Sequence, residues 1–288
     1  MAIERIVVVG GGGLMGNGIC QVVAGAGFQV TMVDLDEAAL DRGRGRIRSS
    51  LERLAKAGTI AEADVEATLG RIAASTSLED AAADADHVIE TVVEDPALKA
   101  DVLRRLDAAC RDDVILASNT SQISISRLAA ATSRPDRVVG SHWFNPPPIM
   151  RLIELVRGVE TSDETLATAT ELAQRYGKET VVCKRDTQGF ITSRLACLFA
   201  LEAARIVEEG IADADDVNRA CRLAFGHAMG PLDTADLSGL DTLLRVSEGM
   251  TDCFGERFRA PQNIRALVAA GHFGRKTGRG FGEYGEAR

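Results

Sequence analysis

Proton transfer needs a group that titrates near neutrality and a partner that steadies its charge. One segment of this 288-residue chain, GSHWFNPPPIMRLIE from Gly140 to Glu154, offers both. The chain has four histidines and one tryptophan, and His142 and Trp143 stand side by side here. Three consecutive prolines, Pro146 to Pro148, fix backbone geometry and give up three N–H donors, which predicts a rigid corner after His142. Glu154 lies twelve residues beyond His142, far enough for the chain to reverse and bring a carboxylate beside the imidazole. Such a histidine can take the O–H proton of a secondary alcohol while hydride leaves carbon, and the carboxylate fixes the ring tautomer and stabilises the imidazolium. The rival reading is a histidine packed beside Trp143 with Glu154 as a surface neighbour, and the local sequence leaves both open. His87, His227 and His272 show no metal-ligand spacing, so no metal is expected.

The elements around this segment alternate. Strands are predicted at Ile6 to Val9, Gln29 to Asp34, His87 to Ile89, Val114 to Ala117, Val138 to Ser141 and Leu152 to Val156, with helices between most of them. That rhythm predicts an α/β domain of the Rossmann type, a doubly wound, mostly parallel sheet covered on both faces. Ligands of such sheets sit at the carboxyl ends of the strands. Asn119 and Ser121, in the run ASNTSQISI after the fourth strand, are therefore expected to face the same cleft as His142. After about Asp186 the texture becomes all-helical, with segments expected at Phe190 to Glu209, Ile211 to Phe225, Asp233 to Met250 and Pro261 to Ala270. The boundary is placed in the polar stretch KRDTQG, giving domains 1–185 and 186–288.

Gly11-x-Gly13-x-x-Gly16 follows the first strand directly and opens a helix. Gly11 is read as permitting the tight turn, Gly13 as letting backbone approach a pyrophosphate, and Gly16 as allowing close packing of helix on sheet, with Leu14 and Met15 in the same cofactor-binding loop. The helix N-terminus then presents unpaired N–H groups to negative charge. Asp34 closes the second strand, where a carboxylate binds the ribose hydroxyls of an adenosine and repels a 2′-phosphate, so NAD is preferred over NADP. FAD shares the fingerprint and is the rival cofactor.

The net charge of −9 argues against general nucleic-acid binding. Within that acidic chain, Arg42, Arg44, Arg46, Arg48, Arg53 and Lys56 crowd one helix, whose opposite side carries Leu40, Ile47, Leu51 and Leu54. The basic side is either a solvated face or an attractor for a phosphate-bearing ligand. Six scattered cysteines form no CxxC pair, so neither a disulfide scaffold nor a cysteine-rich metal site is expected. An opening of Met-Ala-Ile-Glu-Arg without a basic leader, and the lack of an apolar span, make a cytoplasmic protein away from membranes the expectation.

The motifs GGGLMGNGI, VIETVVED, ASNTS, GSHWFNPPPIMRLIE, DTQGFITSR, HAMGPLDTADLSGLD and FGRKTGRGF, in that order from about residue 4 to 284, resemble the short-chain L-3-hydroxyacyl-CoA dehydrogenase family, especially its bacterial 3-hydroxybutyryl-CoA dehydrogenases. The resemblance implies NAD-dependent oxidation of an L-3-hydroxyacyl-CoA to the 3-ketoacyl-CoA, with His142 and Glu154 as the catalytic pair. It puts Ser121 and Asn119 on the substrate oxygen, Asn119 also at the cofactor, and Ser50 on CoA, with Lys56 near a further CoA-binding position. It implies that Glu94 and Lys99 line the cofactor side of the cleft, and that the helical domain closes over the acyl-CoA substrate and forms a homodimer. One departure is Ser193, where the family commonly has a substrate-binding Asn. Losing one such donor would cost about 1–3 kcal/mol, or roughly ten- to a hundredfold in rate. Trp143 stands where Phe is usual and is expected to narrow the pocket. Two other functions fit the residues: a dehydrogenase of a free 3-hydroxy acid, like gulonate or carnitine dehydrogenases, and a dinucleotide-binding protein without turnover.

Overall fold

Strands buried on both faces form the centre of this protein, over residues 6–9, 87–90, 115–118 and 138–143. The computed structural model describes residues 3–285, and the chain separates into two units between Thr187 and Gln188. In the first unit β1 (Arg5–Val9) leads through the glycine loop into α1 (Leu14–Gly25), followed by β2 (Gln29–Val33) and α2 (Glu37–Lys56). Then come α3 (Glu62–Leu69), β3 (Ile72–Ser75), α4 (Leu78–Ala83), β4 (His87–Glu90) and α5 (Pro96–Ala109). The unit continues with β5 (Ile115–Ser118), α6 (Ile125–Ala129), β6 (Val138–Trp143), β7 (Leu152–Val156), α7 (Asp163–Arg175) and β8 (Glu179–Cys183).

One sheet holds all eight strands in the order β3-β2-β1-β4-β5-β6-β7-β8. Neighbours run parallel except β6 and β7. The chain winds outward from β1 through β2 to β3, then returns to place β4 on the other side of β1. That reversal opens the crevice in which doubly wound sheets hold ligands. Ile6, Val8, Ile89 and Val139 from the sheet pack with Ile19 and Val23 of α1 and Leu40, Ile47 and Leu51 of α2. The entry to α2 is set by Asp36, whose carboxylate accepts from the Ala39 N–H at 2.7 Å.

Two strands lie outside the sequence expectation, β3 and β8, and both are sheet edges. Their sequences, IAAS and ETVVC, are only partly buried and lack a long apolar run. β6 also extends past Ser141 to Trp143.

The second unit is helical: α8 (Thr192–Glu208), α9 (Ala214–Phe225), α10 (Pro231–Ser238), α11 (Leu240–Phe254) and α12 (Gln262–Ala269). The single helix expected over 233–250 is two helices. Gly239, at φ 97°, breaks it with a backbone conformation that side-chain-bearing residues rarely adopt. Cys197, Leu201 and Ala204 form the buried face of α8, whereas Leu195 is exposed. Among the described residues no helix is long and apolar enough to cross a membrane.

Candidate active site

The turn that the three prolines impose makes β6 and β7 antiparallel neighbours, in a register that sets His142 opposite Glu154. Directly opposed residues share one face of a sheet, so imidazole and carboxylate meet: Nδ1 lies 2.9 Å from Glu154 Oε2. Glu154 is fully buried and His142 nearly so. A carboxylate on Nδ1 holds the proton there and gives Nε2 the lone pair. Phe144 packs against the imidazole with ring centroids 4.4 Å apart.

Trp143 is on the other face. Strand alternation turns its indole into the core, where it is 3% exposed, lies 5.9 Å from the Tyr176 ring and donates to Ser141 Oγ at 3.0 Å. It therefore does not narrow a pocket beside His142, and that expectation is corrected.

Asn119 follows the carboxyl end of β5. Its Oδ1 accepts from the Trp143 backbone N–H at 3.0 Å, which fixes the amide and leaves Nδ2 as the end that can donate elsewhere. Glu94 pins the next two residues: its Oε1 accepts from Thr120 Oγ1 at 2.6 Å, from the Ser121 N–H at 3.1 Å and from Ser121 Oγ at 3.4 Å. Lys99 does not line an open surface. It is fully buried, donating to Glu90 Oε1 at 2.8 Å and to the Asn119 carbonyl at 2.9 Å. Burying a lysine requires a paired charge, and Glu90 supplies it from inside β4. Glu90 also accepts from Ser118 Oγ at 2.6 Å and the Val92 N–H at 2.6 Å. Burial pushes its carboxyl above the usual range against the pull of Lys99 and these donors. The sequence reading missed Glu90; its only signal was a carboxylate ending the apolar run VIE.

The glycine loop differs from its expected parts in one respect. The left-handed residue is Gly10, at φ 76°, and a Cβ on Gly11 would instead strike Met32 Cγ at 2.3 Å. Gly16 has the expected role, since a Cβ there would sit 2.1 Å from the Gly10 carbonyl oxygen. A Cβ on Gly13 would meet only that same oxygen, at 3.1 Å, so this side of the loop is open. The α1 N-terminus, which carries Leu14 and Met15, has no side-chain cap and no acidic residue in its first turn. Such an end receives a pyrophosphate. Asp34 accepts from the Gly12 N–H at 2.9 Å and the Leu35 N–H at 2.8 Å, so its carboxylate is fixed at the loop with further lone pairs for hydroxyls. The residues present fit a dinucleotide.

A second cleft lies between α1, α2 and the proline turn, lined by Asn17, Arg46, Ser50, Arg53 and Pro146 to Pro148. Arg46 and Arg53 stand four residues before and three after Ser50, on one helical face. Lys56, six residues from Ser50, does not line this cleft; it lines one groove with Glu52, Glu62 and Glu66 and another with Arg46, Ser49 and Arg53. Two arginines thus share the cleft of Ser50, and Lys56 borders a neighbouring groove that the same arginines line. Ser193 lies in the first turn of α8, in the second unit, half-buried.

Residues 5–187 match the family model described as 3-hydroxyacyl-CoA dehydrogenase, NAD binding domain, and residues 189–284 match that of the 3-hydroxyacyl-CoA dehydrogenase C-terminal domain. The chain is 43% identical to the 3-hydroxybutyryl-CoA dehydrogenase of Mycobacterium tuberculosis, over 98% of this chain and 99% of that one. It is 39% identical to human mitochondrial hydroxyacyl-coenzyme A dehydrogenase, over 98% of this chain and 92% of that protein. The crystal structure of (S)-3-hydroxybutyryl-CoA dehydrogenase from Ralstonia eutropha superimposes with a TM-score of 0.94 at 42% identity, covering 99% of this chain and 100% of that one. NAD, not FAD, is the cofactor. The chain belongs to the 3-hydroxyacyl-CoA dehydrogenase family, as an NAD-dependent oxidoreductase acting on 3-hydroxyacyl-CoA-like substrates.

Proposed function

We propose that this enzyme interconverts a short-chain L-3-hydroxyacyl-CoA, such as 3-hydroxybutyryl-CoA, and its 3-ketoacyl-CoA, with His142 as general base and acid. The observation that carries the reading is the 2.9 Å contact between His142 Nδ1 and the buried Glu154 carboxylate. In oxidation, Nε2 takes the hydroxyl proton, and the imidazolium formed is stabilised by Glu154 without that carboxylate leaving its place. In reduction, Nε2–H returns the proton to the substrate oxygen. Bound NAD supplies the hydride acceptor at carbon. Asn119 Nδ2 and Ser121 Oγ donate to the substrate oxygen; the 3.4 Å bond of Ser121 to Glu94 is long enough to exchange for it.

Arg46, Ser50 and Arg53 hold the phosphate-bearing end of CoA, with Lys56 outside that set. Gly11, Gly13, Leu14, Met15 and Gly16 form the pyrophosphate loop, and Asp34 reads the adenosine ribose. Glu94 and Lys99 act through the loop they hold, at 119–121, and Lys99 does so without touching the cofactor. In this reading 1–185 is the NAD-binding domain and 186–288 the substrate and dimerisation domain, with Ser193 supplying a hydroxyl where the resemblance implies an amide. A homodimer through that unit belongs to the same reading, and the exposed apolar side chains Leu195, Leu223 and Phe225 are ones such an association could cover.

The test is turnover of acetoacetyl-CoA against free acetoacetate, followed by NADH absorbance. The thioester alone should react; reaction with the free acid alone would replace this reading with that of a free-acid dehydrogenase.

A further inference from the structure

The turn joining the two catalytic strands makes few backbone hydrogen bonds of its own. Residues 145–150, Asn-Pro-Pro-Pro-Ile-Met, include three without an N–H. Their internal backbone bonds run from the Ile149 and Met150 N–H groups to one acceptor, the Pro146 carbonyl, each at 3.0 Å. Lys178, just before β8 and far from the turn in sequence, supplies the missing ties. Its side chain is buried, and Nζ donates to the Pro147 carbonyl at 2.7 Å and the Met150 carbonyl at 2.7 Å. The ammonium also stands 6.0 Å from the centroid of the Trp143 indole. Burial alone lowers its proton affinity, so this cation is retained against desolvation by carbonyl oxygens.

The proline wall these bonds hold faces the cleft of Arg46, Ser50 and Arg53. The wall is also seated on α1, where a Cβ on Gly18 would fall 2.8 Å from Pro147 Cδ, leaving no space for the turn to shift inward. A lysine at the edge of β8 thereby fixes one side of a cleft built by α1 and α2.

We propose that Lys178 is a positioning residue that clamps the 145–150 turn and so sets the acyl-CoA affinity of the adjoining cleft. The inference rests on the acyl-CoA reading of that cleft. The prolines reverse the chain, but the β6–β7 ladder itself holds His142 opposite Glu154 and Lys178 bonds to none of its paired residues, so the clamp acts on binding and leaves the proton transfer intact.

The experiment compares the full-length enzyme with Lys178→Met, which keeps the apolar stem and loses the donors, and Lys178→Arg, which keeps charge and donors. Lys178→Met should raise KM for acetoacetyl-CoA about tenfold, as expected when binding shared by ground and transition states is removed. Its KM for NADH and its kcat should stay within about threefold of the parent. Lys178→Arg should restore most of the KM. In Lys178→Met the Ile149 and Met150 amides should exchange hydrogen about tenfold faster or more, because their turn opens locally. Unchanged exchange overturns the clamp, whatever the substrate. Faster exchange with an unchanged acetoacetyl-CoA KM overturns its link to binding, as does a parallel rise in both KM values, which marks a general structural role. If Lys178→Met does not fold, an arginine variant with parental exchange and a KM raised for NADH instead of the thioester also overturns it. Failure of the acyl-CoA reading shows separately, as a parent enzyme that neither turns over acetoacetyl-CoA nor binds CoA in a calorimeter.

Discussion

Replacing Glu154 by glutamine removes one charge and changes almost no volume. The carboxylate is fully buried against His142, with Nδ1 and Oε2 2.9 Å apart, so the centres of an imidazolium and this carboxylate would lie about 4 Å apart. At an effective dielectric of about 20 their attraction is about 4 kcal/mol. That attraction exists only once the ring has taken the proton, so its loss falls on the transition state and corresponds to roughly a thousandfold in kcat. A glutamine amide can also donate to Nδ1, which moves the ring proton to Nε2 and removes the base from the substrate side. We therefore expect Glu154→Gln to lower kcat for 3-hydroxybutyryl-CoA oxidation by about a thousandfold or more. KM for NAD and for the thioester should change by less than about threefold. The assay is steady-state NADH formation, with a substrate deuterated at the hydride-donating carbon to show that chemistry limits the rate. A fall of less than about tenfold in a variant showing the full isotope effect would refute the charge argument.

Other outcomes follow from single contacts. Asp34→Ala should raise the KM for NAD by about ten- to a hundredfold, from loss of charged acceptors to ribose, and should narrow the preference over NADP, as read by initial rates with both. Arg46→Ala combined with Arg53→Ala should raise the acetoacetyl-CoA KM at least tenfold while Lys56→Ala leaves it nearly unchanged; equal effects would return Lys56 to the CoA site. His87 is fully buried in β4 with its Nδ1 unpartnered among the described residues, and burial lowers its pKa from 6.5 to about 4. Above pH 6.5 neither folded nor unfolded chain binds that proton; as pH falls from 6.5 toward 4 only the unfolded chain does, so stability declines across that window. His87→Leu should flatten that part of the melting-temperature profile. Asp86 acts lower. Burial would raise its carboxyl, but the Arg5 and Glu4 N–H groups and the Arg111 and Arg5 guanidinium groups outweigh burial and hold it at about 2, so its contribution is lost only as pH falls from 3.8 toward 2.

Local chemistry, written in neighbouring residues, made much of the fold legible. The run IVVV, the glycines after it and Asp34 lie within one strand–helix–strand unit, whose turns and caps are decided by residues a few positions apart. Three prolines reverse the chain and so predict a carboxylate near His142. One error was also local: alternation along β6 already turns Trp143 away from His142. Helical spacing likewise already puts Arg46 and Arg53 on the face of Ser50.

The rest depended on tertiary structure because its energy comes from partners distant in the chain. The edge strands β3 and β8 have weak apolar patterns and form because a neighbour offers a row of unpaired backbone groups. Nothing near Lys99 in sequence says whether its ammonium meets a ligand or a buried carboxylate; the parallel pairing of β4 with β5 brings Glu90, Ser118 and Asn119 around it. Lys178 bonds to residues 28 and 31 positions away because β8 lies beside β7, where burial leaves carbonyl oxygens as the partners that stabilise its charge. Residue type and spacing thus determined which chemistry the chain could attempt, while burial and strand order decided which charged groups line a cleft and which are buried as supports within the fold.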